Sequence, residues 1–300
     1  MLDINSIVGK SIKAAAGEQP WNGYYLMRGL EVGNLLRYAG LNEPGVVLDI
    51  GCGNGFASYL ISNISKRVVA SDLYSKDAKT HTVGLDSARR LVSKMSAANI
   101  SISACSIECL PFKNETFDII FSSYVMHYLK SKAQALSELK RVVKKEGMVI
   151  LVVPNFMERI YAFFQFYLYF AVKFFGLVKE RIFRRNNACH DVGKITVQSF
   201  SKLKENYKYF PFPGPHGAYR NSFIEMISHT PCRWNREFQN AGFIIQRSFT
   251  TVFAPYPLLL TVSLKLTVVI SKIFEPLARF LGDKRFIKYL GYNYCAILKK

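Results

Sequence analysis

Three glycines at alternate positions, Gly51, Gly53 and Gly55, and an aspartate further on, Asp72, are the residues whose spacing first points to chemistry. In Asp49-Ile50-Gly51-Cys52-Gly53-Asn54-Gly55 the glycines let the backbone turn tightly at the end of a strand and let a ligand approach the main chain closely. Asp72 follows at the separation of about 20 residues at which a carboxylate accepts hydrogen bonds from ribose hydroxyls. A dinucleotide fingerprint asks for glycine or alanine at its sixth position, for close helix packing, and that position here is Phe56. A pyrophosphate ligand therefore loses ground. Two imidazoles stand where a proton could be moved: His127, in Tyr124-Val125-Met126-His127-Tyr128-Leu129, and His216, beside Gly217 in the proline-rich loop Pro211-Phe212-Pro213-Gly214-Pro215. The plainer alternatives are pocket lining for His127 and an exposed loop histidine for His216. His190 and Glu225 are weaker candidates.

The elements that must hold these residues follow from hydrophobic periodicity. A helix is expected over 26–39, and the run 46–50 reads as a buried strand entering the glycine turn, followed by a helix over 56–64. Further strands are expected at 67–72, 100–104, 117–122 and 148–153, with helices at 86–95 and 133–143 between them. A helix at 234–241, stopped by Gly242, then feeds a strand at 243–245, and 294–298 suits a final strand. This alternation predicts an α/β fold with a doubly wound, mostly parallel sheet, which puts a ligand at the carboxyl ends of the strands. His127 then falls just past the fourth strand, at that edge.

With the glycine turn and Asp72 in place, three further motifs join them: Glu108-Cys109-Leu110-Pro111-Phe112, Phe117-Asp118-Ile119-Ile120 and Leu139-Lys140-Arg141-Val142-Val143-Lys144. Together with Leu48 to Gly55 they make residues 44–154 resemble the class I S-adenosylmethionine-dependent methyltransferases, of the type 11 kind. The resemblance implies a Rossmann-like core in which Gly51, Gly53 and Gly55 wrap the methionine part of S-adenosylmethionine and Asp49 orients its amino-acid end. It also implies that Asp72 holds the ribose and Leu73 packs on the adenine, with Ser106, Ile107 and Ser122 lining the same site. Many relatives have an aspartate where this chain has Ser106, whose hydroxyl can still accept a hydrogen bond. Methyl transfer from a sulfonium needs an aligned nucleophile and, for a hydroxyl or an acidic carbon, a base, for which His127 and then His216 are the candidates.

The chain is half apolar and carries a net charge of +19, a pairing that suits an anionic membrane surface, nucleic acid or an acidic substrate. Relatives that methylate exocyclic amines of nucleobases have a polar residue, two prolines and an aromatic after the fourth strand, whereas this chain has Ser122-Ser123-Tyr124-Val125. Nucleic acid is ranked low as a partner. The six cysteines form no zinc-type cluster, so no metal is expected, and the first residues lack the apolar core of a secretory signal, so a cytoplasmic protein is expected.

Two greasy stretches remain, one running from 160 to 178 with Lys173 as its single break, the other from 252 to 274 interrupted by Pro255 and Pro257. Both fall short of a clean membrane span, and basic residues at 179, 181, 184, 185, 284 and 285 flank them. The chain accordingly divides into an N-terminal helical segment (1–43), a cofactor-binding core (44–154), an aromatic and basic insertion with the proline-rich loop (155–230), and the end of the sheet with a second apolar insertion at about 252–290 (231–300). The resemblance implies that both insertions leave the sheet at its cofactor edge. The expected function is methyl transfer to a small or lipid-like acceptor, with oxygen as the candidate atom, by a protein peripheral on the cytoplasmic face of a membrane. The alternatives are an RNA methyltransferase, and a membrane-associated scaffold retaining an inactive fold.

Overall fold

Near-continuous apolar runs in a chain that alternates strand and helix require a sheet covered on both faces. The computed structural model, which describes residues 9–11, 22–41, 44–73, 85–183, 214–215, 219–252, 280–284 and 286–300, has that architecture. Strands β1 (Val46–Ile50), β2 (Arg67–Asp72), β3 (Ile100–Ala104), β4 (Phe117–Ser123) and β5 (Val143–Pro154) are parallel. Among the described residues β6 (Ile244–Phe249) and β7 (Asn293–Lys299) complete a seven-stranded sheet of order β3-β2-β1-β4-β5-β7-β6, in which β7 runs antiparallel to both neighbours. The helices are α1 (Asn22–Ala39), α2 (Phe56–Ser62), α3 (Leu85–Lys94), α4 (Lys132–Val142), α5 (Phe156–Phe183), α6 (Ser222–Ser228) and α7 (Pro231–Asn240).

The alternation of strand side chains builds two cores from one sheet. Val47, Ile119, Phe121, Ile150, Val152, Cys295 and Ile297 pack with α1 and α2, through Leu35, Leu36, Phe56, Leu60 and Ile61. The intervening Leu48, Ile120, Val149, Leu151, Val153 and Ala296 pack with α4 and α7, through Leu136, Leu139, Trp234 and Phe238. Each such fully buried large side chain contributes about 1.5–3 kcal/mol. The strand order reverses between β1 and β4, so a crevice opens outside their carboxyl ends.

Three elements extend beyond their sequence patterns. β5 starts at Val143 instead of 148, because α4 runs directly into extended backbone and Phe117 pairs with Val143 ahead of a register shift. α7 starts at Pro231, a residue whose fixed φ suits the first helical turn. The aromatic run from 160 lies inside a 28-residue helix, α5, whose start Asn155 fixes by accepting from the Phe156 amide at 2.8 Å. No helix among the described residues is long and apolar enough to cross a membrane. The apolar stretch at 253–279, His190, His216, Arg184, Arg185 and Arg285 lie outside the described residues.

Candidate active site

The glycine turn after β1 is built largely from its own backbone. Gly51, Gly53 and Gly55 have φ of +81°, +54° and +79°, conformations that favour glycine. The amides of Gly51 and Cys52 both donate to the Ser71 carbonyl, at 2.7 and 3.0 Å, which ties the turn to the end of β2. Asp72 closes the second side: its carboxylate accepts from the Gly53 amide and from the Leu73 amide, each at 2.7 Å. Each oxygen keeps acceptor capacity for hydroxyls. Burial pushes the Asp72 carboxyl up, and the two donated amide bonds pull it back.

Asp49 sits beneath this turn, 1% exposed, and accepts a 2.5 Å hydrogen bond from the Ser58 hydroxyl on α2. Burial raises its carboxyl to about 6, against the Ser58 bond and the Arg28 charge, which lower it. Leu73 is 57% exposed at the end of β2, an apolar face open to a ring. A Cβ added at Gly53 would meet nothing within 4 Å, so the turn presents open space beside the Asp72 carboxylate. Ser122 Oγ is buried at the end of β4 without a hydrogen-bond partner among the described residues. A bare, open loop beside a carboxylate, an exposed leucine and a waiting hydroxyl fit S-adenosylmethionine.

The edge of β4 and β5 is built by side chains. Tyr124, non-glycine at φ +57°, turns the chain sharply out of β4 into a single 3-10 turn, Met126–Tyr128, which buries His127. That turn lies against the glycine loop: a Cβ at Gly51 would come within 2.0 Å of a Val125 methyl carbon. Past β5, Asn155 donates to the Tyr289 and Gly291 carbonyls at 2.7 and 2.9 Å, so the first turn of α5 is fixed with Glu158 and Arg159 pointing inward, 9% and 4% exposed. Arg159 pairs with the fully buried Glu225 of α6 at 3.1 Å and reaches the Gly214 carbonyl at 3.2 Å. His229, which follows α6 and is fully buried, lies 4.0 Å from Glu158 and 5.7 Å, ring to ring, from His127.

The structure thus brings Asp49, Gly51, Gly53, Gly55, Asp72 and Leu73 to one side of the crevice and His127 to the other. Ser106 is committed to a local turn, where its hydroxyl accepts from the Glu108 amide at 3.2 Å, while Ile107 is 4% exposed in the core under α4. His216 lies outside the described residues. Sequence reasoning missed Glu158, Arg159 and His229, and it ranked Glu225 low. It also missed Arg28 and Glu31 of α1: Arg28 pairs with Glu31 at 2.5 Å and donates to the Ser123 hydroxyl at 3.0 Å, which brings the first helix to the end of β4. Adjacent polar residues at the start of α5 were the available signal. Among the described residues no group of His, Cys, Asp and Glu has the arrangement of a metal site.

Residues 48–151 match the family described as a methyltransferase domain. The chain is 31% identical over 116 residues to the ubiquinone/menaquinone biosynthesis C-methyltransferase UbiE of Cellvibrio japonicus, covering 38% of this chain and 44% of that protein. It is 31% identical over 153 residues to the malonyl-[acyl-carrier protein] O-methyltransferase of Serratia marcescens, covering 50% of this chain and 55% of that protein. The chain therefore spans about half the length of these curated relatives. Among solved structures, the [4+2]-cyclase SpnF superimposes with a TM-score of 0.51 at 13% identity, over 92% of this chain and 82% of that one, a likeness of fold alone.

Proposed function

We propose, from the match of residues 48–151 to a methyltransferase domain and the site beside Asp72, that the whole chain transfers the methyl group of S-adenosylmethionine to a small or lipid-like acceptor, on an oxygen atom. The observation that carries the reading is the juxtaposition at Gly51 and Val125, where the backbone-built turn beside Asp72 meets the turn that presents His127. When bound, the cofactor supplies an electrophilic methyl group. The chain's own part is to hold it through Gly51 to Gly55, Asp72 and Leu73, to align an acceptor behind the methyl, and to take a proton at the His127 imidazole. His127 is 6% exposed, which shields that proton transfer from water.

The acceptor side is read as apolar, and the enzyme as resting on an anionic membrane from the cytoplasmic face. In support, α5 leaves Phe164 and Phe175 exposed, α6 leaves Phe223, Ile224 and Ile227 exposed on the face opposite Glu225, and the chain carries a +19 charge. Calorimetry of S-adenosylmethionine binding, with and without vesicles containing anionic lipid, tests both parts. Asp72→Ala is expected to weaken cofactor binding about tenfold or more, since hydrogen bonds to a charged group are worth about 1.5–3 kcal/mol. Unchanged affinity would overturn the placement of the site, and binding without vesicle association would overturn the membrane reading.

A further inference from the structure

The rotation of the short helix α6 is fixed from its inner side. Glu225, 0% exposed in its side chain, pairs with Arg159 at 3.1 Å, and Asn221 caps the helix by accepting from the Ile224 amide at 2.8 Å. At the other end the fully buried His229 donates its amide to the Glu225 carbonyl at 2.9 Å. At about 100° per residue, Phe223, Ile224 and Ile227 share one arc of the helix, and Glu225 and His229 centre on the opposite side. The three apolar side chains are therefore 65%, 43% and 37% exposed, and they cannot turn inward without breaking the buried pair. An apolar stripe pinned in water in this way marks a surface for a partner.

The flank of the stripe is cationic. Arg220 precedes α6 and is exposed, and Arg233 and Arg236, three positions apart on α7, are exposed as well. From α4, the Lys132 ammonium stands 5.9 Å from the centre of the Tyr219 ring, next to Arg220 in the chain. Arg233 reaches the same ring electrostatically: burial and then the Glu225 and Glu237 charges push the Tyr219 phenol up to about 12, and Arg233 pulls it down. Against these four cations stands the exposed carboxylate of Glu237. We propose that α6 docks the protein on an anionic lipid surface, with Phe223, Ile224 and Ile227 entering the boundary between headgroups and acyl chains and Lys132, Arg220, Arg233 and Arg236 meeting the lipid phosphates. A bilayer of anionic lipid is apolar where the stripe is apolar and negative where its flank is positive. A second copy of the chain, packed face to face on the same patch, would instead set these cations against their own kind.

The docked helix ends at the acceptor side of the crevice. His229, its C-cap, packs edge-on against the His127 ring with centres 5.7 Å apart, so an acceptor leaving the bilayer at α6 enters beside His127. Ile244 supplies the contrast. It is 66% exposed at the start of β6, and the strand pairings place it at the amino edge of the sheet, away from α6. This inference rests on the membrane part of the proposed function and names the element that performs it; it does not depend on the chemistry at His127.

Sedimentation of the full chain with vesicles of phosphatidylcholine, with and without phosphatidylglycerol, tests it, with S-adenosylmethionine affinity measured by calorimetry on the same proteins. The wild type is expected to sediment with the anionic vesicles and much less with the neutral ones. Phe223→Ser is expected to weaken that association about tenfold, from the lost burial of a phenyl side chain. Arg220→Gln and Arg233→Gln are expected to weaken it about fivefold each, and Ile244→Ser to leave it unchanged, with cofactor affinity kept in all four variants. Wild-type sedimentation that Phe223→Ser does not reduce, or that Ile244→Ser reduces equally, overturns the inference and leaves the membrane reading standing. Equal sedimentation with both kinds of vesicle overturns the role given to the cations. A wild type that sediments with neither overturns the membrane reading itself. Sedimentation velocity without vesicles adds the remaining outcome: a dimer that Phe223→Ser dissociates would show that a second copy covers α6, and the inference would fall. Ile227→Ser, on the same stripe, carries the test if Phe223→Ser does not fold.

Discussion

The two sides of the crevice share one sheet edge and are made in opposite ways. Outside β1 and β2 the site is backbone: three glycines at positive φ, four amides and one carboxylate that accepts from two of them. Outside β4 and β5 it is side chain, with Arg159 and Glu158 from α5, Glu225 and His229 from α6 and its C-terminal cap, and His127 from the 3-10 turn. A backbone-built site serves a ligand that never changes, whereas a side-chain-built site can be respecified by substitution. The largest effect expected from this division is on stability. Glu225→Ala removes the carboxylate opposite Arg159, and breaking a buried pair in this way costs about 3–5 kcal/mol. Urea denaturation should show that loss, while S-adenosylmethionine affinity, measured well below the new midpoint, stays within about threefold. A collapse of affinity along with stability would show that the two sides are one unit.

The glycine loop provides the next and sharper contrast. At Gly51 a methyl group would meet Val125 at 2.0 Å as well as occupying φ +81°, so Gly51→Ala combines overpacking of about 1–3 kcal/mol with a backbone cost of about 1–2 kcal/mol. Adding Val125→Ala should recover part of that loss, because the two positions touch. At Gly53 nothing stands within 4 Å, and only the backbone cost of about 1–2 kcal/mol applies. Gly53→Ala should therefore unfold at only slightly lower urea yet bind S-adenosylmethionine far more weakly, its methyl group projecting into the space beside Asp72. Equal stability losses in the two alanine variants would refute the claim that Gly51 serves packing and Gly53 serves the ligand.

That contrast also explains which half was legible in the sequence. A positive-φ turn leaves a local mark, since three glycines within five residues and an aspartate closing the next strand can be read without knowing the fold. The same holds for the sheet, whose strands at 46–50, 67–72 and 100–104 stand where the apolar runs put them. The side outside β4 and β5 left no such mark. Glu158 and Glu225 are 67 positions apart, and only the fold brings α6 onto the start of α5. His127 was found because a single element, the end of β4, positions it, while His229 depends on the cap of a seven-residue helix that periodicity does not register. Ser106 shows the converse: a local motif named it, and its hydroxyl is already engaged in its own turn.

Asp49 yields the smallest and most specific effect, because it lies under the boundary between the halves. Its carboxyl titrates near 6 in the folded chain against 3.8 for the ordinary group, with burial as the leading cause. A folded-state value above the unfolded one means that the folded chain binds a proton more tightly. Asp49 therefore adds stability that is full below about pH 4 and is lost as pH rises through about 6, at most about 3 kcal/mol in all. Asp49→Asn removes this slope, so the urea midpoint of the variant should change less than that of the wild type between pH 4 and 6. If Asp49 orients the ammonium end of the cofactor, the arriving positive charge pulls its carboxyl back down and a proton leaves on binding. At pH 6, calorimetry in buffers of different ionisation enthalpy should then detect release of a fraction of a proton by the wild type and none attributable to this position in Asp49→Asn. Equal release by both proteins would place the ammonium elsewhere, and would leave Asp49 with the structural task its 2.5 Å bond to Ser58 already performs.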